Sequence, residues 1–134
     1  MIRYLLDTNA FSNAVRGRHS DFNDHFAAIP LERVAVSVIT EAELLFGLAK
    51  RPEAHHLARS VRTLLGRITI LPWTSHAAKE YAELRRDLES QGKPLGSMDM
   101  MIAAHALAED AVLVTNDAAF HRIRHLKIED WTRP

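Results

Sequence analysis

Residues 34–50 read VAVSVITEAELLFGLAK. The first seven, VAVSVIT, are β-branched and almost uninterrupted in their apolarity, the pattern of a strand covered on both faces. EAELLFGLAK (41–50) is built of strong helix formers, and Pro52 marks its end. A strand buried on both sides that passes directly into a helix belongs to a parallel sheet. The same succession repeats outward in both directions. Upstream, IRYLL (2–6) reads as a short first strand, followed by helical pieces over 8–16 and 21–28, with a break at Gly17-Arg18 and a stop before Pro30. Downstream, 53–66 is an amphipathic helix with Leu57, Val61, Leu64 and Leu65 on one side, and ITIL (68–71) is a third strand stopped by Pro72. A longer helix from Ser75 to Gln91 places Ala78, Tyr81, Leu84 and Leu88 at helical spacing. Gly92, Pro94 and Gly96 break the chain. Ser97 then caps a helix through Glu109, AVLVT (111–115) is a fourth strand, and a short helix over 117–123 and a strand over 126–129 close the sequence.

Strands and helices alternate without a repeat, a low-complexity stretch or a linker. That alternation predicts an α/β fold with a central parallel sheet of four to five strands and helices on both faces. The 134 residues suit one domain, large enough for a core without staples. Seventeen Lys and Arg balance seventeen Asp and Glu, so net charge points to no partner. There is no cysteine, which excludes disulfides, thiolate metal sites and Cys nucleophiles, and fits a reducing cytoplasm. Arg3 and Asp7 interrupt the N-terminal apolar run, so no signal peptide is expected, and no stretch nears the roughly 20 apolar residues of a membrane span.

Ligand sites in parallel sheets lie beyond the carboxyl ends of the strands. Asp7 directly follows the first strand, Glu41 and Glu43 follow the second, and Asp117 comes two residues after the fourth. Asp99 lies in the first turn of the helix leading into that fourth strand. Singly, each has a plain reading: Asp7 and Asp117 as helix caps, Asp99 as a complement to a helix dipole, Glu43 as solvated surface. Jointly they predict something else. Caps would scatter around the molecule, whereas these acids come from four separate segments to one rim. Carboxylates that close together repel unless a cation neutralises them. Oxygen-only ligands select hard ions, chiefly Mg²⁺ or Mn²⁺, and the implied reaction is phosphodiester hydrolysis by a metal-activated water. Thr8, Asn9, Thr115 and Asn116 flank the acids as donors able to orient carboxylates or water. Helical geometry sends Glu41 and Glu43 in different directions and by itself leaves the choice between them open.

LLDTNAF, SVITEAELLFG, GKPLGSMDMMIAAHA and AVLVTNDAAFHRI followed by IEDW, in this order and spacing, resemble the motifs of PIN-domain ribonucleases, specifically the VapC toxins of bacterial toxin–antitoxin pairs. The resemblance runs the length of the chain and implies a PIN-like three-layer α/β/α fold. Its second motif, an acid before Leu with Gly four residues on, matches Glu43-Leu44 and Gly47 and selects Glu43. Its third selects Asp99. By this resemblance Asp7, Glu43, Asp99 and Asp117 are the catalytic and metal-binding residues, with Asp7 and Asp99 the principal Mg²⁺ ligands. Asp117 is the weakest of the four, since close relatives often carry Asn there, and Met98 stands where many carry an aromatic residue. The resemblance further implies an endoribonuclease, a VapB-type antitoxin partner and a homodimer. Some similar members cut initiator tRNA, which makes tRNA a candidate substrate.

Without its four site acids the chain keeps thirteen acidic against seventeen basic side chains. Arg16, Arg18, Lys50, Arg51, Lys93, Arg122 and Arg124 fall near expected loops and helix ends, where they could meet RNA phosphates. Phe11, Phe46, Trp73 and Trp131 are candidate base-stacking platforms, each with a competing reading as core or interface. His121 and His125 are spaced i, i+4, but no HExxH or cysteine completes a zinc site, and His105 reads as a partly buried packing residue. Two other functions compete: a non-catalytic RNA- or protein-binding domain, disfavoured by the retention of all four acids, and a metal-dependent phosphomonoesterase, disfavoured by the absence of a DxD pattern.

Overall fold

The computed structural model describes residues 1–93 and 95–134. Of the chain break expected over Gly92, Pro94 and Gly96, Pro94 lies outside the described residues.

Five strands, β1 (Tyr4–Leu6), β2 (Val34–Ser37), β3 (Thr69–Leu71), β4 (Val112–Val114) and β5 (Ile128–Glu129), form one sheet in the order β3-β2-β1-β4-β5. Every pairing is parallel. Among the described residues six α-helices cover it: α1 (Thr8–Arg16), α2 (Ser20–Ala27), α3 (Val38–Ala49), α4 (His55–Leu65), α5 (Ser75–Ser90) and α6 (Ser97–Ala108). Short 3-10 turns occupy Leu31–Arg33 and Ala118–Arg122.

Alternation along the strands sorts the core into two halves. Leu5, Ala35, Leu71 and Leu113 point to the side of α5 and α6, where they meet Leu84, Leu88, Ile102 and Ala106. Leu6, Val34, Val36 and Val114 point to the other side, against Phe11, Phe22, Val61 and Trp131. The central strands β1, β2 and β4 are buried along nearly their whole length, which is why they read as continuous apolar runs.

One boundary differs from expectation in a way that matters for the site. Val38-Ile39-Thr40 reads as strand but forms the first turn of α3. Ser37 ends the ladder opposite Leu71, and its Oγ accepts from the Ile39 N–H at 3.0 Å, so the chain turns into a helix three residues early. Capping outweighs the β-preference of these side chains because helix formers follow. Gly96, rather than Ser97, precedes the first turn of α6. At the end of α1, Gly17 adopts φ 63° and returns its N–H to Asn13 at 3.0 Å, a left-handed stop that favours glycine.

Candidate active site

The chain leaves β1 towards one edge of the sheet, through β2 and β3, and leaves β4 towards the other edge, through β5. Connections diverging from adjacent strands open a crevice at the carboxyl ends of β1 and β4. The pairing Leu6↔Val114, continued by one residue, sets Asp7 opposite Thr115, and the Asp7 N–H donates to the Val114 carbonyl at 3.1 Å. Period-two alternation turns both side chains towards α6.

Asp7 is buried, with 6% of its surface exposed. Its Oδ1 accepts from the Ala10 N–H at 2.7 Å, so it caps α1 as well as facing the crevice. Burial raises its carboxyl above the ordinary range. Hydrogen bonds from Thr115 and Ala10 oppose that rise, and the charges of Asp99 and Asp117 add to it. Thr115, itself buried, bridges two acids: its hydroxyl serves Asp7 while its Oγ1 accepts from the Asp117 N–H at 3.1 Å. Glu43, in the second turn of α3, accepts from Thr8 Oγ1 at 2.6 Å. Asp99, half-buried in the first turn of α6, has its carboxyl raised by burial first and then by the charges of Glu43 and Asp117. Asp117 is exposed and accepts at Oδ1 from the Ala119 N–H at 2.9 Å.

All four expected acids therefore lie in one electrostatic neighbourhood. Of the flanking donors, Thr8 and Thr115 hold carboxylates directly, whereas Asn9 and Asn116 are exposed. Among the described residues no ion pair includes Asp7, Glu43 or Asp99. Nor are three Asp, Glu or His side chains drawn together closely enough to cage an ion unaided. An all-oxygen donor set that includes a buried carboxylate has the chemistry that suits a hard divalent ion.

Beside Thr8 and Glu43 a groove of about 270 Å³ runs between α1, α3 and α4. Val15, Leu44, Leu48 and Val61 contribute apolar surface, and Arg16, Lys50 and Arg51 contribute charge. Among the described residues none of these three cations is paired with an acid. Lys50 Nζ sits 4.7 Å from the centre of the Phe46 ring, which is 63% exposed. The other expected basic residues do not join them. Arg122 and Arg124 line a different cleft with Glu80, Glu83 and Asp87, and Arg18 and Lys93 are exposed beyond α1 and α5. Phe11 and Trp131 are core, and Trp73 packs edge-on against His105. The groove was not foreseen, because its walls come from three helices whose apolar residues each look like ordinary core.

Residues 4–126 match the profile of the PIN domain. The chain is 35% identical over 133 residues to Ribonuclease VapC2 of Rickettsia felis, covering 97% of this chain and 98% of that one. It is 29% identical over 133 residues to the tRNA(fMet)-specific endonuclease VapC of Shigella flexneri, covering 98% and 100%. Among solved structures, DNA-bound VapBC from Salmonella typhimurium superposes with a TM-score of 0.89 at 31% identity, over 98% of this chain and 99% of that chain.

Proposed function

The chain belongs to the PIN-domain family, and we propose that it is the Mg²⁺-dependent endoribonuclease toxin of a VapBC-type toxin–antitoxin pair. One observation carries this reading: acids from four segments act on one another in one crevice, and among the described residues neither Asp7, Glu43 and Asp99 nor the neighbouring groove's Arg16, Lys50 and Arg51 form an ion pair. Asp7, Glu43, Asp99 and Asp117 would hold the ion. When bound, Mg²⁺, or Mn²⁺ in its place, supplies neutralisation of the phosphodiester charge and activation of the attacking water.

The remaining work falls to this chain's own groups. Thr115 and the Ala10 N–H fix the Asp7 carboxylate from two directions, so it meets its ligand preorganised. Thr8 does the same for Glu43. Asn9 and Asn116 present amides at the rim, suited to orienting a phosphate oxygen or water. Arg16, Lys50 and Arg51 contact backbone phosphates next to the scissile bond, and Phe46 offers a ring for an unstacked base.

The partner is a VapB-type antitoxin, as in the VapBC complex from Salmonella typhimurium. The substrate to test first is tRNA, the target stated in the name of the Shigella flexneri relative. The 134 residues act as one domain, as a homodimer, in the cytoplasm where that RNA resides. Among the described residues no helix is long and apolar enough to cross a membrane.

The test is cleavage of a total tRNA pool by purified protein. Chelator should abolish cleavage, Mg²⁺ or Mn²⁺ should restore it, and Asp7→Asn should be inactive with its fold intact. Undiminished cleavage by Asp7→Asn, or in chelator, would refute the reading.

A further inference from the structure

The segments that lead to Glu43 and on from Asp99 meet at a second place, where Ser37, the cap of α3, faces His105 of α6, and there the contact is attractive. His105 has no exposed surface, and its ring is bonded at both nitrogens. Nδ1 lies 2.7 Å from Ser37 Oγ, and Nε2 lies 3.1 Å from the Pro72 carbonyl oxygen. A carbonyl only accepts, so Nε2 carries the proton. Burial holds the ring below the ordinary histidine range, which leaves it neutral, with Nδ1 free to accept from the Ser37 hydroxyl. Ser37 Oγ in turn accepts from the Ile39 N–H, the cap of α3. Trp73 packs edge-on against the imidazole at 5.4 Å, with Tyr81 behind it.

Ser37 stands six residues before Glu43, and His105 stands six residues after Asp99. The Ser37–His105 bond therefore stands six residues from each carboxylate, at the other end of the two segments on which Glu43 and Asp99 repel each other. The ends are separated by about 9 Å along each helix. They act against each other: the like charges at the rim favour displacement, and the buried bond resists it. Among the described residues it is the one side-chain hydrogen bond that ties the Ser37–α3 segment to α6. Sliding one helix by a single residue would move a carboxylate by about 1.5 Å.

We propose that Ser37 and His105 are positioning residues, a buried latch that sets the axial register of α3 against α6 and so the distance between Glu43 and Asp99. Its kinetic consequence rests on the ribonuclease reading; the register itself does not.

Two isosteric changes separate the ends of the ring. In His105→Asn the amide oxygen occupies the Nδ1 position and can still accept from Ser37. In His105→Gln the amide reaches the Nε2 position and keeps only the Pro72 contact. Both bury an amide in place of the imidazole, so a role in stability alone treats them alike. The latch predicts that His105→Asn keeps kcat close to wild type, while His105→Gln loses about tenfold or more in kcat with KM unchanged. Equal kcat in the two variants, or a loss expressed in KM, overturns the proposal.

A second arm needs no RNA. In chelator, Asp99→Asn should raise the unfolding midpoint of the wild type by relieving repulsion, and should raise that of His105→Gln by less, because an unlatched seam has already relaxed. Equal gains overturn the latch even if the protein cleaves no RNA. If the wild type fails to cleave, the ribonuclease reading falls while this arm still decides the register. Should His105→Gln not unfold cooperatively, Ser37→Ala, which removes the hydroxyl at the other end of the bond, takes its place with the same expectations.

Discussion

Replacing Asp7 by Asn should make the metal-free protein more stable while abolishing its activity, because Asp7 does two jobs whose energies have opposite sign. As a cap it accepts from the Ala10 N–H at 2.7 Å, and Asn caps about as well as Asp. As a buried charge it is a cost, since it sits 6% exposed near Asp99 and Asp117 with hydrogen bonds but, among the described residues, no ion pair to compensate. Burial and those charges raise the folded carboxyl above 3.8, so the folded state holds the proton more tightly than the unfolded chain does. The stability this contributes is complete below pH 3.8 and is lost as pH rises through the folded value. At neutral pH in chelator the full cost is present, and Asp7→Asn removes it. Asp7→Ala removes the same charge and also the cap, worth about 1 kcal/mol, so it should unfold about 4 °C below Asp7→Asn. Thermal unfolding of the three proteins in chelator at pH 7 checks the order. Asp7→Asn melting below the wild type, or level with Asp7→Ala, would refute the division of Asp7 into a favourable cap and an unfavourable charge. Adding Mg²⁺ should narrow the gap by stabilising the wild type alone.

Other measurements probe separate parts of the structure. His105 is held below the ordinary histidine range chiefly by burial, which outweighs the Glu109 charge and the Pro72 carbonyl. Its contribution to stability is therefore complete above pH 6.5 and lost as pH falls below it, so denaturant titrations at pH 7.5 and 5.5 should differ more for the wild type than for His105→Gln. Converting Arg16, Lys50 or Arg51 to Gln should raise KM for RNA with kcat little changed, each lost phosphate contact lowering the salt-dependence slope by about 0.7. Leu113, with no exposed surface in β4 between β1 and β5, should lose about 2–5 kcal/mol on truncation to Ala, read as a large fall in the unfolding midpoint.

Local patterning carried a good deal of this protein. The β-branched run from Val34 and the helix formers after it announced a strand buried on both faces passing into a helix, and the parallel sheet follows from repeating that unit. The acids after strand ends were visible as candidates because a parallel sheet concentrates ligands at one rim. Where local reading failed, the cause was competition between local signals. Val38-Ile39-Thr40 has strand composition, but the Ser37 hydroxyl captures the Ile39 N–H and starts the helix early. His105 looked like a partly buried packing residue because its partners, Ser37 and the Pro72 carbonyl, lie 68 and 33 residues away in sequence.

By itself, then, the sequence determined which segments become strands and helices and which carboxylates follow them, since hydrophobic period and capping act over a few residues. Only the tertiary structure decided the strand order β3-β2-β1-β4-β5, and with it the crevice between β1 and β4. It likewise decided the pairing of Asp7 with Thr115, the groove holding Arg16, Lys50 and Arg51, and the buried bond that joins Ser37 to His105. Those features depend on which helix packs on which face, a choice made by long-range burial of apolar surface that no short window of residues encodes.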